Sequence, residues 1–151
     1  MKHPYFNQYK FKYLEWNDAD IIHEATLMWQ SQLEFIEGEQ LFLKELLSEN
    51  TLLLLSETGF DMAKHLATDL SNLNSQLPKI LEDVMIHRND IVVLIDGTDE
   101  FQKEKAFQDV HLLLELLIGT YLEKYHILKE EIFKTMREVF KKSKKKQLLQ
   151  P

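Results

Sequence analysis

The sequence predicts an all-α fold, an antiparallel up-down-up bundle of three long helices with the second kinked at Pro78, preceded by an extended aromatic arm. Three observations predict it. Apolar residues recur at seven-residue spacing over stretches far longer than a strand. Only four glycines and three prolines punctuate 151 residues, too few for the turns of an all-β chain. With 44% apolar and 28% charged residues, the chain is expected to bury one core as a single domain over residues 1–151, without help from disulfides or metal.

The arm, residues 1–17, carries Tyr5, Phe6, Tyr9, Phe11, Tyr13 and Trp16, and its Tyr9-Lys10-Phe11-Lys12-Tyr13 alternation reads as extended. Asn17 and Asp18 offer the short side-chain oxygens that cap a first helix over 18–49. That helix repeats Ile22, Trp29, Ile36 and Leu43, flanked at the same spacing by Met28, Phe35 and Phe42, so a wide buried face is expected. Thr-Leu-Leu-Leu-Leu from Thr51 then reads as a connection or a last apolar turn, with Thr58 or Asp61 opening the next helix.

The second helix, 58–95, has the clearest pattern. Ala63, Leu70, Leu77, Val84 and Ile91 interleave with Leu66, Leu73, Ile80, His87 and Leu94 as two heptad sets. Because the phase survives Pro78, one kinked helix is expected, with Ser75 or Gln76 helping the carbonyl that the proline frees. Asp96-Gly97 signals a turn and Thr98 a cap. The third helix, 98–142, shows the stripe Phe107, Val110, Leu114, Leu117, Ile118, Tyr121, Tyr125, Leu128, Ile132, Met136 and Val139, with Gly119 as its weakest point. A basic tail, 143–151, follows.

Charge and composition exclude several function classes. There is no cysteine, which removes thiol catalysis, cysteine zinc sites and disulfides. The net charge is −7, yet residues 141–151 hold five lysines and no acid; 13 of the 18 bases then face all 25 acids in residues 1–140, a local charge of −12. An acidic body of this kind repels nucleic acid and anionic lipid over a broad surface. Nucleic acid or anionic membrane is left as a partner only for Lys141, Lys142, Lys144, Lys145 and Lys146. The opening residues lack a signal-peptide pattern and no run has the length of a membrane span, so a cytoplasmic location is expected. No Gly-rich phosphate loop, His-Glu-x-x-His or Gly-x-Ser-x-Gly is present, which points away from an enzyme.

Polar residues inside apolar faces carry the remaining signals. On a helical wheel Gln32 and Glu39 fall near the middle of the first helix's face. A carboxylate there must be paired, protonated or bound to metal. Its pairing alternatives are a tyrosine hydroxyl, a histidine or Arg88 across the seam, or a bundle edge open to solvent. His87 is the one polar residue in the second helix's two core sets, and reflection about the two turns brings His23, His87 and His111 to within one or two turns of one level. Glu39, His87, His111 and Glu115 therefore form the candidate metal set, for iron, manganese or zinc. His111-Leu-Leu-Leu-Glu115 resembles the His-x-x-x-Glu element of hemerythrin-like proteins, and Glu123-Lys-Tyr-His126 is similar to the Glu-x-x-His of ferritin-like di-iron bundles. The resemblance implies an iron-holding bundle, although the His-x-x-x-His helix of the first family and the second Glu-x-x-His of the other are absent.

Leu112, Leu113 and Leu116 lie away from the third helix's main stripe, which leaves that segment apolar nearly all round. Either the Thr51–Leu55 segment folds over them or a homodimer, or another helical protein, covers them with the aromatic arm as a further contact. The leading expectation is a non-enzymatic interaction or structural module that self-associates. The alternatives are a metal-binding bundle, and an adaptor that binds nucleic acid or anionic membrane through its lysines.

Overall fold

A computed structural model describes residues 19–96 and 101–150, and among these there are four helices and no strand. They are α1 (Ala19–Glu49), α2 (Thr51–Thr58), α3 (Phe60–Asp96) and α4 (Phe101–Leu149). The aromatic arm, the Asn17 and Asp18 caps, and the Gly97 turn with its Thr98 cap lie outside the described residues. No helix among the described residues is long and apolar enough to cross a membrane.

The chain divides into two units. One takes the described parts of Met1–Phe35 and Leu77–Thr120, the other those of Ile36–Gln76 and Tyr121–Pro151. Each unit has its own buried residues: Ile22, Leu33, Leu77, Val84, Ile91, Phe107, Leu114 and Ile118 in the first, and Leu43, Leu47, Leu66, Leu70, Tyr125, Ile132 and Met136 in the second.

The buried seam of α1 is narrower than its apolar content suggests. Met28, Phe35 and Phe42 are 61%, 69% and 52% exposed, and Gln32 is exposed as well. Ile22, Thr26, Leu33, Ile36, Gln40, Leu43 and Leu47 are buried, with His23 beside them, and with half-buried Trp29 between Thr26 and Leu33 they follow alternating four- and three-residue steps. At about 100° per residue, the outward-facing Met28, Phe35 and Phe42 pull the apparent centre of the face toward Gln32 and Glu39, whereas the actual centre passes through Leu33 and Gln40. Thr26 fits the seam because its hydroxyl donates to the Ile22 carbonyl at 2.8 Å.

The leucines after Thr51 form α2 rather than a connection. Asn50 interrupts the helical run, with its Nδ2 donating to the Leu46 carbonyl at 2.8 Å, and the Thr51 hydroxyl donates to the Leu47 carbonyl at 3.0 Å. Gly59 then separates α2 from α3 at φ +88°, a left-handed conformation that glycine adopts without Cβ strain. Its N–H donates to the Leu55 carbonyl at 3.0 Å, and the Thr58 hydroxyl donates to that of Leu54 at 2.7 Å. Thr58 thus closes α2 instead of opening α3.

Both heptad sets of α3 are buried from Ala63 to Ile91, with Leu94 half-buried. Pro78 lies inside this single helix, on its exposed side. Ser75 Oγ donates to the Asn72 carbonyl at 2.7 Å, so its hydroxyl goes to a different acceptor from the Asn74 carbonyl that Pro78 deprives of a donor. On α4 the stripe is buried at Phe107, Leu114, Ile118, Tyr121, Tyr125, Leu128, Ile132, Met136 and Val139, but Val110 and Leu117 are exposed. These two sit on the edge of the arc, beyond the two registers that supply all of these buried residues but Met136. Helix α4 continues to Leu149, so the lysines expected partly in a tail extend its last turns, where cations complement the helix dipole.

Candidate functional site

In the first unit α3 and α4 bring two imidazoles together. His87 Nε2 and His111 Nδ1 are 2.8 Å apart, with the residues only 1% and 5% exposed. Aromatic rings flank them: Phe107 stacks on His87 at 4.3 Å between centroids and 9° between planes, and Trp29 of α1 stacks on His111 at 4.8 Å. The sequence explains the placement, since His87 continues the Leu66, Leu73, Ile80 set. His111 continues the α4 register that includes Ile118, Tyr125 and Ile132.

Hydrogen-bond balance assigns the protons. Among the described residues nothing bonds His87 Nδ1, although the atom is buried. A buried N–H without an acceptor is costlier than a lone pair without a donor, so His87 carries its proton on Nε2 and donates it to His111 Nδ1. Burial pushes the His87 pKa down to about 4, and the neighbouring His111 adds to the shift. His111 is lowered too, by burial, with Glu115 opposing. Both rings are neutral at pH 7.

The second unit builds its polar core from hydroxyls and a carboxylate. Tyr125 OH donates to Glu39 Oε1 at 2.5 Å, and Lys129 Nζ donates to the same oxygen at 3.0 Å while lying 5.6 Å from the Tyr125 ring centroid. Desolvation would raise the Glu39 pKa, but the bonds from Tyr125 and Lys129 outweigh it and hold the carboxyl below its ordinary value. Burial raises the Tyr125 pKa, and its bond to Glu39 raises it further. Nearby, Gln40 Nε2 donates to Tyr121 OH at 2.7 Å, and Tyr121 OH donates to the Leu73 carbonyl at 2.9 Å, a relay that joins α1, α4 and α3.

Of the four residues in the sequence-based metal set, the structure pairs His87 with His111. Glu39 belongs to the second unit, where Tyr125 and Lys129 hold it, and Glu115 is exposed on α4. His23 is buried in the first unit. Among the described residues no group of three or more His, Asp or Glu side chains is placed to hold a metal ion. Arg88 reaches Gln30 Oε1 at 3.0 Å instead of Glu39.

Three features escape the sequence reading. Gln40 is hidden by the misplaced centre of the α1 face. The stacking of Trp29 and Phe107 on the imidazoles has no linear signal. Glu104, fully buried, could have been found by running the His111 register back seven residues. Comparison of the chain with protein-family models, with curated proteins and with solved structures finds no match.

Proposed function

We propose that the protein is a non-enzymatic interaction module that associates with a second copy of itself through the outer face of α4 around Leu112, Leu113 and Leu116. One observation carries this reading: the three leucines are 52%, 65% and 69% exposed, with Val110 and Leu117 also exposed beside them. The leucines after Thr51 form α2 in the other unit, where Leu54 is buried. A contiguous apolar surface of this kind marks an interface, and full burial of a leucine contributes roughly 1.5–3 kcal/mol. A two-fold pairing would cover the patch on both copies at once.

The proposed scaffold is an up-down-up bundle of α1, α3 and α4, with α3 bent at Pro78. The antiparallel sense of α3 and α4 is supported within the second unit, where partners on α3 descend as those on α4 ascend: Leu73 meets Tyr121 and His65 meets Glu131. Sedimentation equilibrium tests the module. A dimer at micromolar concentration is expected, reduced to monomer by Leu113→Glu with Leu116→Glu at unchanged helicity. A wild-type chain that stays monomeric at high micromolar concentration overturns the reading.

The close His87–His111 approach favours a second reading, a transition-metal site in the first unit with His87 and His111 as ligands. Of the carboxylates the sequence suggests, Glu115 is the one in the same unit, one turn after His111 on α4. Protein purified without chelator would carry near-stoichiometric iron, manganese or zinc, lost in His87→Ala with His111→Ala. Metal-free protein rules it out.

A further inference from the structure

In the linear sequence no aromatic residue is interleaved among the lysines of residues 141–146, but Phe140 directly precedes them. In the fold, Phe133, Arg137, Phe140, Lys141 and Lys144 recur on one face of α4, and Phe42 of α1 joins them in the second unit. Together they line an open groove of about 430 Å³. Its floor is apolar, its rim carries three cations, and no acidic residue lines it. Phe42, Phe133 and Phe140 remain 52%, 43% and 43% exposed. From residue 132 to the end the chain has seven bases against the single acid Glu138, the reverse of the rest of the molecule.

That pairing of aromatic floor and cationic rim discriminates among occupants. A second copy docked by two-fold symmetry would set Arg137, Lys141 and Lys144 against their own counterparts, which like-charge repulsion opposes. A nucleic-acid duplex satisfies the cations but leaves three phenylalanines idle, because phosphates offer them no apolar contact. The headgroup boundary of an anionic bilayer uses both: phenyl rings enter the acyl edge while guanidinium and ammonium groups meet phosphate and carboxylate. We propose that this face of α4, with Phe42, is a docking surface for anionic membrane. Lys146 contributes less, since its ammonium is already held by Glu57 at 2.6 Å. The acidic remainder of the chain restricts docking to this one face and makes it steeply salt-sensitive. The proposal requires neither self-association nor the histidine pair, so a monomeric or metal-free protein leaves it standing.

Co-sedimentation of the full chain with phosphatidylcholine vesicles, with and without a quarter phosphatidylserine, tests it. Partitioning should be at least about tenfold stronger onto the anionic vesicles and should fall about tenfold or more when the Debye length is cut by adding salt. Lys141→Gln with Lys144→Gln, which keeps the rings, should weaken it about thirtyfold, at roughly one fivefold step per lysine. Phe133→Ser with Phe140→Ser, which keeps the charges, should weaken it about tenfold or more. All four side chains are exposed, and circular dichroism checks that the variants stay helical. Equal partitioning onto both vesicles, or none, overturns the proposal. So does indifference to the phenylalanine pair, which would reduce the surface to a simple lysine tail. Tighter capture of single-stranded RNA than of vesicles, or one-to-one binding of monomeric oleate without vesicle partitioning, would assign the groove to a different ligand and likewise overturn it.

Discussion

In the first unit one buried polar cluster is a pair of imidazoles that share one hydrogen bond between Trp29 and Phe107; in the second the cluster is made of phenol hydroxyls, an amide and a carboxylate tied to an ammonium group. Each pairs most of its buried polar atoms, although His87 Nδ1 has no partner among the described residues. They do so in different charge states. The imidazoles are kept neutral by desolvation, so their environment penalises a proton. Glu39 is kept ionised by its donors, so its environment penalises loss of a partner. The contrast teaches that one fold can tolerate polar residues in its seams by either route, and that each route has its own weakness. Acid attacks the first cluster; truncation attacks the second.

The largest effect is expected at Tyr125, which is fully buried and supplies both a ring to the core and a hydroxyl to Glu39. Tyr125→Ala should cost about 3–5 kcal/mol in urea unfolding, the range for deleting a large buried aromatic. Tyr125→Phe keeps the ring and should cost about 1.5–3 kcal/mol, as for one lost hydrogen bond to a charged group. Should the Phe variant lose nearly as much as the Ala variant, the hydroxyl network rather than packing would dominate the second unit.

Acid provides the next test, now on the first unit. The pKa of His87 is lowered from 6.5 to about 4 in the folded chain. The unfolded chain therefore binds the proton more tightly, so the contribution of this group is fully present above about pH 6.5 and is lost as pH falls toward and through 4. A shift of this size corresponds to roughly 3 kcal/mol. His111, lowered by the same burial, acts with the same sign. Glu39 also has a lowered pKa, so its contribution declines only at lower pH, below its ordinary value of 4.5. Urea midpoints at several pH values should fall between pH 6.5 and 4.5 in the wild type and much less in His87→Phe. Parallel slopes in the two proteins would show that the pair is not what acid attacks.

How much of this was legible in the sequence depends on which physical signal each feature leaves. The seam of α3 was readable because ten consecutive heptad positions agree in phase, whereas rise per residue and the position of a turn put His87 and His111 only within one or two turns of one level and left their direct approach open. The tyrosine hydroxyl that meets Glu39 was one of several named alternatives, since a half-buried carboxylate announces the need for a donor but not its identity. Gln40 was missed because periodicity weighs Met28, Phe35 and Phe42 as core residues, and no local property distinguishes an apolar side chain facing inward from one facing out. The helical state of α2 was missed because eight residues are too few for a period to declare itself, and the Gly59 break has a meaning only once its φ is seen. Of the aromatic company of the C-terminal lysines, Phe133 and Phe140 stood at helical spacing beside Arg137 and Lys141 and were passed over, whereas Phe42 was invisible because it comes from α1, about a hundred residues away.

Lys129 sharpens the comparison at its weakest point. Its ammonium lies 3.0 Å from Glu39, and the two side chains are 25% and 20% exposed, so water reaches both members of the pair. Such pairs contribute about 0.2–1 kcal/mol, because solvent screens the attraction and ordering a long side chain offsets part of it. Lys129→Met keeps the aliphatic stem over the Tyr125 ring and removes the charge; with the Tyr125 bond intact, about 0.5 kcal/mol of loss is expected, shrinking further in high salt. A loss above about 2 kcal/mol, insensitive to salt, would mean that Glu39 behaves as a fully desolvated charge. The second cluster would then share the first one's dependence on exclusion of water, and the distinction between a neutral core and a solvated, charge-assisted one would fail at the residue where it is most easily measured.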